Sequence, residues 1–374
     1  MKNVLWSTLA ALSATALFAD DRPATLRVQL LALAGLVLSA LATQAWVLAT
    51  ARLQSKKIAY VSLGRGQILA EVVIGETLVQ LRKIPGPLDV AWFACRAPLA
   101  RLRVWLGTAL SVVLQLAAGA WLLGTSAWPV GAAAIGATLV RVASTLRGPL
   151  GTGRILLVVP FKPSSLPLSS SADVRATTAV LQGRVADLRA AVPELTEQDR
   201  PDLDRGLLAL AEGRYAEAEQ WGRAATAQGW SDGRHSEILL VSSAIAGAAD
   251  AGTLPRESYL PRLSSAMDAI DAPKAKVDLM VPASADLARF EDRTDDAVTT
   301  ARRQQNRHPE RLWRAEAACT LAGALTHAGQ FDRAQDALRR AHRLCPGLAR
   351  TAHMERLLGE ARDRAPAEVT PATP

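Results

Sequence analysis

The side chains that most often hold metals or attack substrates are scattered along this chain. All five histidines lie in the C-terminal half, and no two have the spacing of metal ligands on one helix. The three cysteines form no Cys-x-x-Cys pair, so the sequence predicts neither a zinc knuckle nor a disulfide framework, and we expect no cofactor. These residues are His235, His308, His327, His342, His353, Cys95, Cys319 and Cys345.

Two other patterns concern phosphate and nucleic acid. Gly151 and Gly153 are not followed by Gly-Lys-Ser or Gly-Lys-Thr, which argues against a phosphate-binding loop. The basic run at 301–314 holds a single aromatic residue, Trp313. We interpret it as a solvated helix pair, with binding to an acidic partner or to anionic lipid headgroups as the alternative.

The elements that position these residues come from two kinds of sequence. Hydrophobic residues make up 49% of the chain, aromatic residues only 5%, and the composition favours helices. The apolar residues are concentrated in the first 160 positions. The sequence therefore predicts a mainly α protein, with a membrane domain over residues 1–162 and a soluble helical domain after it.

Long uncharged stretches predict the membrane spans. No charged residue lies between Arg27 and Arg52 or between Arg103 and Arg141, and about 20 apolar residues cross a bilayer. The second stretch is too long for one helix and breaks near Pro129, so we predict spans at 28–50, 104–123 and 128–146. Arg141 must then reach the interface or face protein. Residues 4–19 are either a fourth span or a cleaved signal peptide.

Charge predicts the orientation of these spans. From Arg52 to Arg103 there are nine basic and three acidic residues, so this loop is expected in the cytoplasm. The two spans that follow return the chain to the same side, which predicts a cytoplasmic C-terminal domain. Topology accounts for much of the net charge of +8, so we expect a lipid bilayer and no nucleic acid as partner. Within the loop, residues 67–84 predict a β-hairpin that turns at Gly75 and Glu76.

Three phrases in the membrane domain have a familiar order. They are Thr43-Gln44-Ala45-Trp46-Val47 on the first long span, Ser62-Leu63-Gly64-Arg65-Gly66 before the hairpin, and Pro149-Leu150-Gly151-Thr152-Gly153-Arg154-Ile155-Leu156 after the last span. Across residues 30–160 this order resembles the site-2 protease family of intramembrane zinc metallopeptidases. The resemblance implies that the first phrase stands at the HExxH position and the third at a phrase like PLDGGRIL.

The residues that the resemblance assigns to the metal site are not ligands. Thr43 and Val47 stand where the two histidines would be, Gln44 where the glutamate base would be, and Gly151 where the aspartate would be. We therefore expect a protease-like scaffold without catalytic activity. The alternative is a small membrane anchor whose phrases match by chance.

Residues 163–172 are rich in proline and serine and predict a linker, and residues 173–363 predict helical hairpins. Small and aromatic residues recur there at the offsets of a tetratricopeptide repeat, which the segment resembles. The repeat positions are Gly213, Tyr215 and Ala218 in one copy, Gly329, Phe331, Ala334 and Pro346 in the fullest copy, and Ala297, Ala301 and Pro309 in a poorer third copy.

We expect Phe331 to be buried between the two helices of its repeat, the repeats to stack into a solenoid, and residues 364–374 to be a disordered tail. The alternative is an unrelated Ala-rich helical bundle. Together these features predict a membrane-anchored scaffold that binds a protein partner through its repeats. The alternatives are a divergent membrane metallopeptidase and a pseudoprotease that binds membrane proteins without cleaving them.

Overall fold

The computed structural model describes residues 22–146, 150–199, 201–227, 234–268 and 282–364. The predicted segment 4–19, Pro149 and all of the predicted tail except Arg364 lie outside these residues. The chain divides into two compact units, Met1–Ser171 and Ala172–Pro374. The boundary falls close to the one that the sequence predicts.

In its described residues, the first unit contains three apolar α-helices and one short α-helix. These are α1 (Arg22–Thr50), α2 (Ala100–Leu123), α3 (Trp128–Ser144) and α4 (Thr152–Leu157). Two segments, Leu26–Thr50 and Ala100–Leu123, are long and apolar enough to cross a membrane, whereas α3 is apolar but has only 17 residues. Pro129 stands in the first turn of α3, where its missing N–H costs no hydrogen bond, so the predicted break lies between α2 and α3.

Glycines let α3 approach both other long helices. A Cβ on Gly35 of α1 would lie 2.4 Å from the carbonyl oxygen of Val130, and one on Gly131 of α3 would lie 2.5 Å from the carbonyl oxygen of Gly119. Only glycine allows backbones this close. α3 therefore packs directly against α1 and α2.

The sheet is more extensive than the predicted hairpin. Strands β1 (Lys56–Ile74) and β2 (Thr77–Ala94) pair antiparallel and turn at Gly75, whose φ is +61°. Pairing of Ile74 with Thr77 confirms the predicted turn. Residues 60–63 of β1 also pair with two parts of β2, 88–91 and 78–81, which a hairpin confined to 67–84 does not include.

Much of the predicted linker is packed against the first unit. Leu166 is fully buried in a small core with Ala94, Val104, Ile155 and Val159. The backbone N–H of Ser169 donates to the carbonyl oxygen of Ala94 at 2.8 Å. Part of the predicted linker therefore belongs to the fold of the first unit, because Leu166 within the Pro/Ser run supplies buried contacts.

The second unit is made of helices throughout its described residues. They are α5 (Ser171–Gln182), α6 (Val185–Ala191), α7 (Asp202–Ala211), α8 (Tyr215–Ala227), α9 (Arg234–Asp250), α10 (Arg256–Asp268), α11 (Pro282–Phe290), α12 (Thr294–Arg307), α13 (Arg311–His327), α14 (Phe331–Leu344) and α15 (Ala349–Arg364).

Three hairpins of this unit turn in the same way. α7–α8, α11–α12 and α13–α14 are each joined by three residues whose middle member has a positive φ, namely Gly213, Asp292 and Gly329. At each turn the next N–H bonds back to a carbonyl five residues earlier, as when Gln330 donates to Leu325 at 2.9 Å. This bond satisfies a carbonyl that the helix end leaves free.

The helices close on themselves instead of forming an open row. A Cβ on Gly183, after α5, would lie 2.1 Å from the carbonyl oxygen of Leu344 at the end of α14. One hydrophobic core runs from Ala172 to Leu358. In an open solenoid each repeat contacts only its neighbours, so this closure departs from the predicted solenoid.

Candidate functional site

The positions assigned to a degenerate metal site lie on the second half of α1. Thr43, Gln44 and Val47 are all half-buried. Thr43 and Val47 are one helical turn apart and therefore share a face of α1. The hydroxyl of Thr43 donates to the carbonyl oxygen of Ser39 at 2.9 Å and also contacts side chains of α2 and α3.

Gly151 is held by a different set of contacts. It caps the N-terminus of α4, and a Cβ at this position would lie 2.0 Å from the carbonyl oxygen of Thr145. Gly153 is equally tight, with its N–H donating to Thr145 Oγ1 at 2.9 Å. An aspartate at 151 would thus require the backbone to move. Within the described residues, no hydrogen bond joins Gly151 to Thr43.

A polar cluster lies among the three long helices at the level of Thr43. Arg141 of α3 donates one Nη to Thr43 Oγ1 and the other to Gln115 Oε1 at 2.8 Å. Ser39 and Thr138 contact each other at 3.3 Å, and each also approaches Gln115 Oε1 at 3.3 Å. Of the two sequence alternatives for Arg141, reaching the interface or facing protein, these bonds show the second.

The Arg141 cluster contains no acidic side chain. The sequence has no aspartate or glutamate between Asp21 and Glu71, which includes α1, or between Asp89 and Asp173, which includes α2, α3 and α4. The Nε of Arg141 is buried and has no hydrogen-bond partner. The guanidinium is therefore solvated by hydroxyl and amide groups and carries an uncompensated positive charge.

The glycine phrase before the hairpin has a structural use. Gly64 and Gly66 have φ values of +91° and +84°, and a Cβ on Gly64 would lie 2.5 Å from the carbonyl oxygen of Ile84. Arg82 joins this region together by donating to Ser62 Oγ at 2.9 Å and to the carbonyl oxygen of Gly66 at 3.0 Å. These residues fix the bend of β1.

The first repeat copy contains the expected small and aromatic contacts. Ala218 is fully buried, and Tyr215 is only 4% exposed. A Cβ on Gly247 of α9 would lie 2.3 Å from the Tyr215 ring, and the ring also contacts His353 with centroids 5.9 Å apart. Tyr215 thus links α8 to α9 and α15.

The second copy differs from the expectation at Phe331. Ala334 is fully buried, Gly329 makes the turn and Pro346 follows the end of α14, but Phe331 is only half-buried. Phe331 packs at the edge of the core and has the Arg362 guanidinium 6.0 Å from its ring centre. Phe331 is therefore less enclosed than the sequence predicts.

A buried ion cluster, which sequence reasoning missed, joins four helices of this unit. The fully buried Arg350 of α15 bonds Asp250 at 2.8 Å, Asp286 at 2.7 Å and Glu316 at 2.8 Å. Arg289 bonds Asp250 at 2.7 Å. One sequence signal was present, since Arg350 shares a helix face with the apolar Met354 and Leu358. Its partners are too far away in sequence to be inferred.

Opposing effects set the charges in this ion cluster. Burial would lower the pKa of Arg350, but the carboxylates of Asp286, Asp250 and Glu316 raise it well above its usual value. Burial raises the pKa of Glu316 to about 7, against the influence of Arg350. Glu316 is therefore the member of the cluster whose charge changes near neutral pH.

A second buried carboxylate is not paired in this way. Asp204 of α7 is 8% exposed, and burial together with the nearby charges of Asp173, Asp199 and Glu310 raises its pKa to about 7. These acidic groups come from α5, from the 3-10 turn Glu197–Asp199 and from the residue before α13. Their mutual repulsion costs stability when all are ionised.

Two of the three thiols are buried inside the second unit. Cys319 and Cys345 are fully buried, and burial raises the pKa of both thiols, that of Cys345 to about 12. Both thiols therefore stay protonated at neutral pH. Across the described residues, no three His, Cys, Asp or Glu side chains are grouped so that they could hold a metal ion.

Comparisons with protein-family models, with curated proteins and with solved structures give no match.

Proposed function

We propose that this chain is a multi-pass membrane protein whose non-catalytic, site-2 protease-like core anchors a cytoplasmic helical domain that binds a protein partner. The observation that carries the proposal is the contrast between the two units. The first unit exposes many large apolar side chains, whereas the second encloses most of its own in a large core.

The outer surface of α1, α2 and α3 supports membrane insertion. Large apolar side chains are exposed on each helix, including Leu38 at 56%, Trp121 at 73% and Leu139 at 54%. Exposed apolar surface on this scale is unfavourable in water but matches hydrocarbon. The close glycine contacts of α3 with α1 and α2 support the proposal that α3 crosses with them.

Charge supports the orientation. Six basic side chains from the end of α1 to the first turn of α2 are exposed, which favours the cytoplasmic side for this loop. They are Arg52, Arg65, Lys83, Arg96, Arg101 and Arg103. With α2 and α3 crossing as a pair, the helical unit lies on the same side as the loop.

The contacts of Thr43 and Gly151 support a core without catalytic activity. Thr43 bonds an arginine, and any side chain at Gly151 would meet the carbonyl of Thr145. A cationic guanidinium beside Thr43 repels a divalent cation, whereas a metalloprotease needs ligands and a base there.

Metal analysis and partner capture test this function. Purified full-length chain is expected to hold no stoichiometric zinc and to cleave no membrane substrate. Full-length chain and a truncation at residue 171 are compared for crosslinked partners in cells, and partners are expected only with the helical unit present. Stoichiometric zinc with chelator-sensitive cleavage would instead establish a divergent metallopeptidase. Equal capture by both forms would show that the repeats do not bind the partner.

A further inference from the structure

The short helix α4 and the turn after it have two sides of different character. Ile155 and Val159 are buried in the small core of the first unit. Leu157 is 54% exposed, and Phe161, in the turn that follows α4, is 90% exposed. Each exposed residue stands two positions after a buried one, and residues at that spacing do not share a face of a helix. The side of α4 that faces away from the core is therefore apolar.

Contacts with α2 and α3 place α4 beside the ends of the long apolar helices. Trp105 Nε1 donates to the carbonyl oxygen of Leu156 at 3.2 Å, and a Cβ on Gly153 would collide with the carbonyl oxygen of Val142. Trp105 stands in the second turn of α2 and Val142 in the last turn of α3, so these contacts lie within about 8 Å of the helix ends. The headgroup region of a bilayer has a similar thickness on each side. With α2 and α3 crossing the membrane, α4 lies at the boundary between headgroups and hydrocarbon.

Arg154 supplies a positive charge without a partner at this boundary. It precedes Leu157 by three residues, so the two side chains share a face of α4. The Nε of Arg154 is buried, and within the described residues its guanidinium forms no hydrogen bond or ion pair. The sequence has no aspartate or glutamate between Asp89 and Asp173 that could neutralise it. Buried donors generally have a partner, and an anion would provide charge-assisted hydrogen bonds here.

We propose that α4 and the turn that follows it form a binding site for an anionic phospholipid of the cytoplasmic leaflet. The lipid phosphate pairs with the guanidinium of Arg154, and Leu157 and Phe161 contact the upper part of the acyl chains. Basic and apolar side chains combine in this way on segments that lie in a membrane interface. A water-soluble anion would satisfy Arg154 but would leave both apolar side chains in water. The inference rests on the proposal that α1, α2 and α3 cross the membrane.

The test measures lipid binding to the full-length chain by native mass spectrometry in a non-ionic detergent. Phosphatidylglycerol is the anionic probe, and phosphatidylcholine with the same acyl chains is the matched neutral probe. We expect the first phosphatidylglycerol to bind about fivefold more tightly than phosphatidylcholine, the order of the attraction between one basic side chain and an anionic lipid surface.

Substitutions locate the preference. Arg154→Gln is expected to remove the preference for phosphatidylglycerol, and Arg154→Lys to retain part of it. Phe161→Ala is expected to weaken both lipids about equally, because it removes apolar contact without changing charge. Arg52→Gln is the matched control, since Arg52 is an exposed arginine just after α1, and it is expected to leave the preference unchanged.

A spin label shows whether the apolar side of α4 faces lipid. Phe161→Cys is labelled in vesicles that contain both lipids, with Cys95→Ser as the background because the other two thiols are buried. We expect the label at 161 to be more accessible to oxygen, which concentrates in hydrocarbon, than to a water-soluble nickel complex. Leu69→Cys, at a position of β1 that is 61% exposed, is the control and is expected to show the reverse.

The proposal is overturned by equal affinity for both lipids, by a preference that survives Arg154→Gln, or by an equal loss with Arg52→Gln, which would indicate diffuse attraction to the whole basic loop. Displacement of phosphatidylglycerol by inorganic phosphate at constant ionic strength would identify a free-anion site and overturn it as well. If Arg154→Gln does not insert, the label at 161 decides, and preferential access of nickel then refutes the site. Protease protection of α1 to α3 reports insertion separately. Failure to insert refutes the membrane function, whereas insertion without lipid preference refutes only the lipid site.

Discussion

Arg141 is partly buried and Arg350 is fully buried, and the two guanidinium groups have different partners. Arg350 meets three carboxylates and is neutralised by its own chain, so its burial contributes to one defined packing of α9, α11, α13 and α15. Arg141 meets only hydroxyl and amide groups, which solvate a cation but leave its charge in place. At the scale of single residues, the charge of Arg350 is neutralised within the fold, whereas the charge of Arg141 is surrounded by neutral polar groups.

The buried carboxylate of Asp204 gives a pH-dependent prediction. Its folded pKa of about 7 lies above the ordinary value of 3.8, so the folded state binds its proton more tightly than the unfolded state. The resulting penalty is absent below pH 4, grows as the pH rises and is complete above pH 7. Asp204→Asn removes it and is expected to raise the free energy of unfolding by on the order of 2–4 kcal/mol at pH 8.

The measurement is urea unfolding of residues 173–363 at pH 4 and pH 8, with Asp202→Asn as the matched control. Asp202 is on the same helix and is also buried, but it faces Arg205 at 3.5 Å. Its substitution is therefore expected to give no gain at pH 8. An Asp204→Asn effect of equal size at both pH values would show that repulsion at Asp204 is not the cause.

The two aromatic repeat residues give a second prediction. Tyr215→Ala is expected to cost about 3–5 kcal/mol of unfolding free energy, because the ring is enclosed by α9 and α15. Phe331→Ala is expected to cost less, since its ring is only partly buried. Thermal and urea unfolding of the same fragment measure both. Equal losses at the two positions would contradict the packing described for Phe331.

At the scale of elements, glycine contacts determine how the apolar helices pack. Gly35→Val would place methyl groups against the backbone of Val130 and is expected to cost about 1–3 kcal/mol, lowering the melting temperature of the full chain in detergent. Gly136→Val is the matched control on α3, where a Cβ meets nothing within 4 Å. If both variants melt like the wild type, α1 and α3 do not pack at Gly35.

The sequence predicted those helices and turns that depend only on residues within one short segment. The stretches without charge indicated α1 and α2, Pro129 indicated the start of α3, and Gly75 indicated the hairpin turn. Gly213 and Gly329 likewise indicated their turns, because glycine is favoured where a helix ends in a residue with positive φ. Asp292 makes the same turn without that signal.

The remaining features depend on contacts between distant segments. Burial of Leu166 needs Ala94 and Val104 beside it, and enclosure of Arg350 needs acids from three other helices. The sequence indicated that Arg141, a charged residue within an apolar helix, needs hydrogen-bond partners. It did not indicate that Thr43 and Gln115 are those partners. Nor does the sequence show that the helices close on one another, since the repeat pattern is the same in an open row and a closed one.

At the scale of the whole molecule, residues 173–363 are predicted to fold alone in water. Their hydrophobic core and ion cluster are formed almost entirely within that range. Circular dichroism of the fragment is expected to show a helical protein with one cooperative melting transition. A fragment that is unfolded, or helical without a cooperative transition, would mean that the core needs the membrane unit.

The proposed topology predicts where reporters are found in cells. Fusions at Gly75 and at Pro374 are both expected to report cytoplasm, because basic residues hold the loop inside and α2 and α3 cross as a pair. A fusion between α2 and α3, at Ser126, is the control and is expected to report the opposite side. A cytoplasmic signal at all three places would show that α2 and α3 do not cross.

Closure of the helical unit by α15 has a consequence for the order of events during synthesis. α15 is translated after every helix that it joins, so Asp250, Asp286 and Glu316 leave the ribosome before their main counter-charge exists. Among the described residues, Arg289 bonds Asp250 and Asp286, and burying the remaining negative charge without Arg350 is unfavourable. We therefore expect the unit to complete its fold only after α15 has been synthesised.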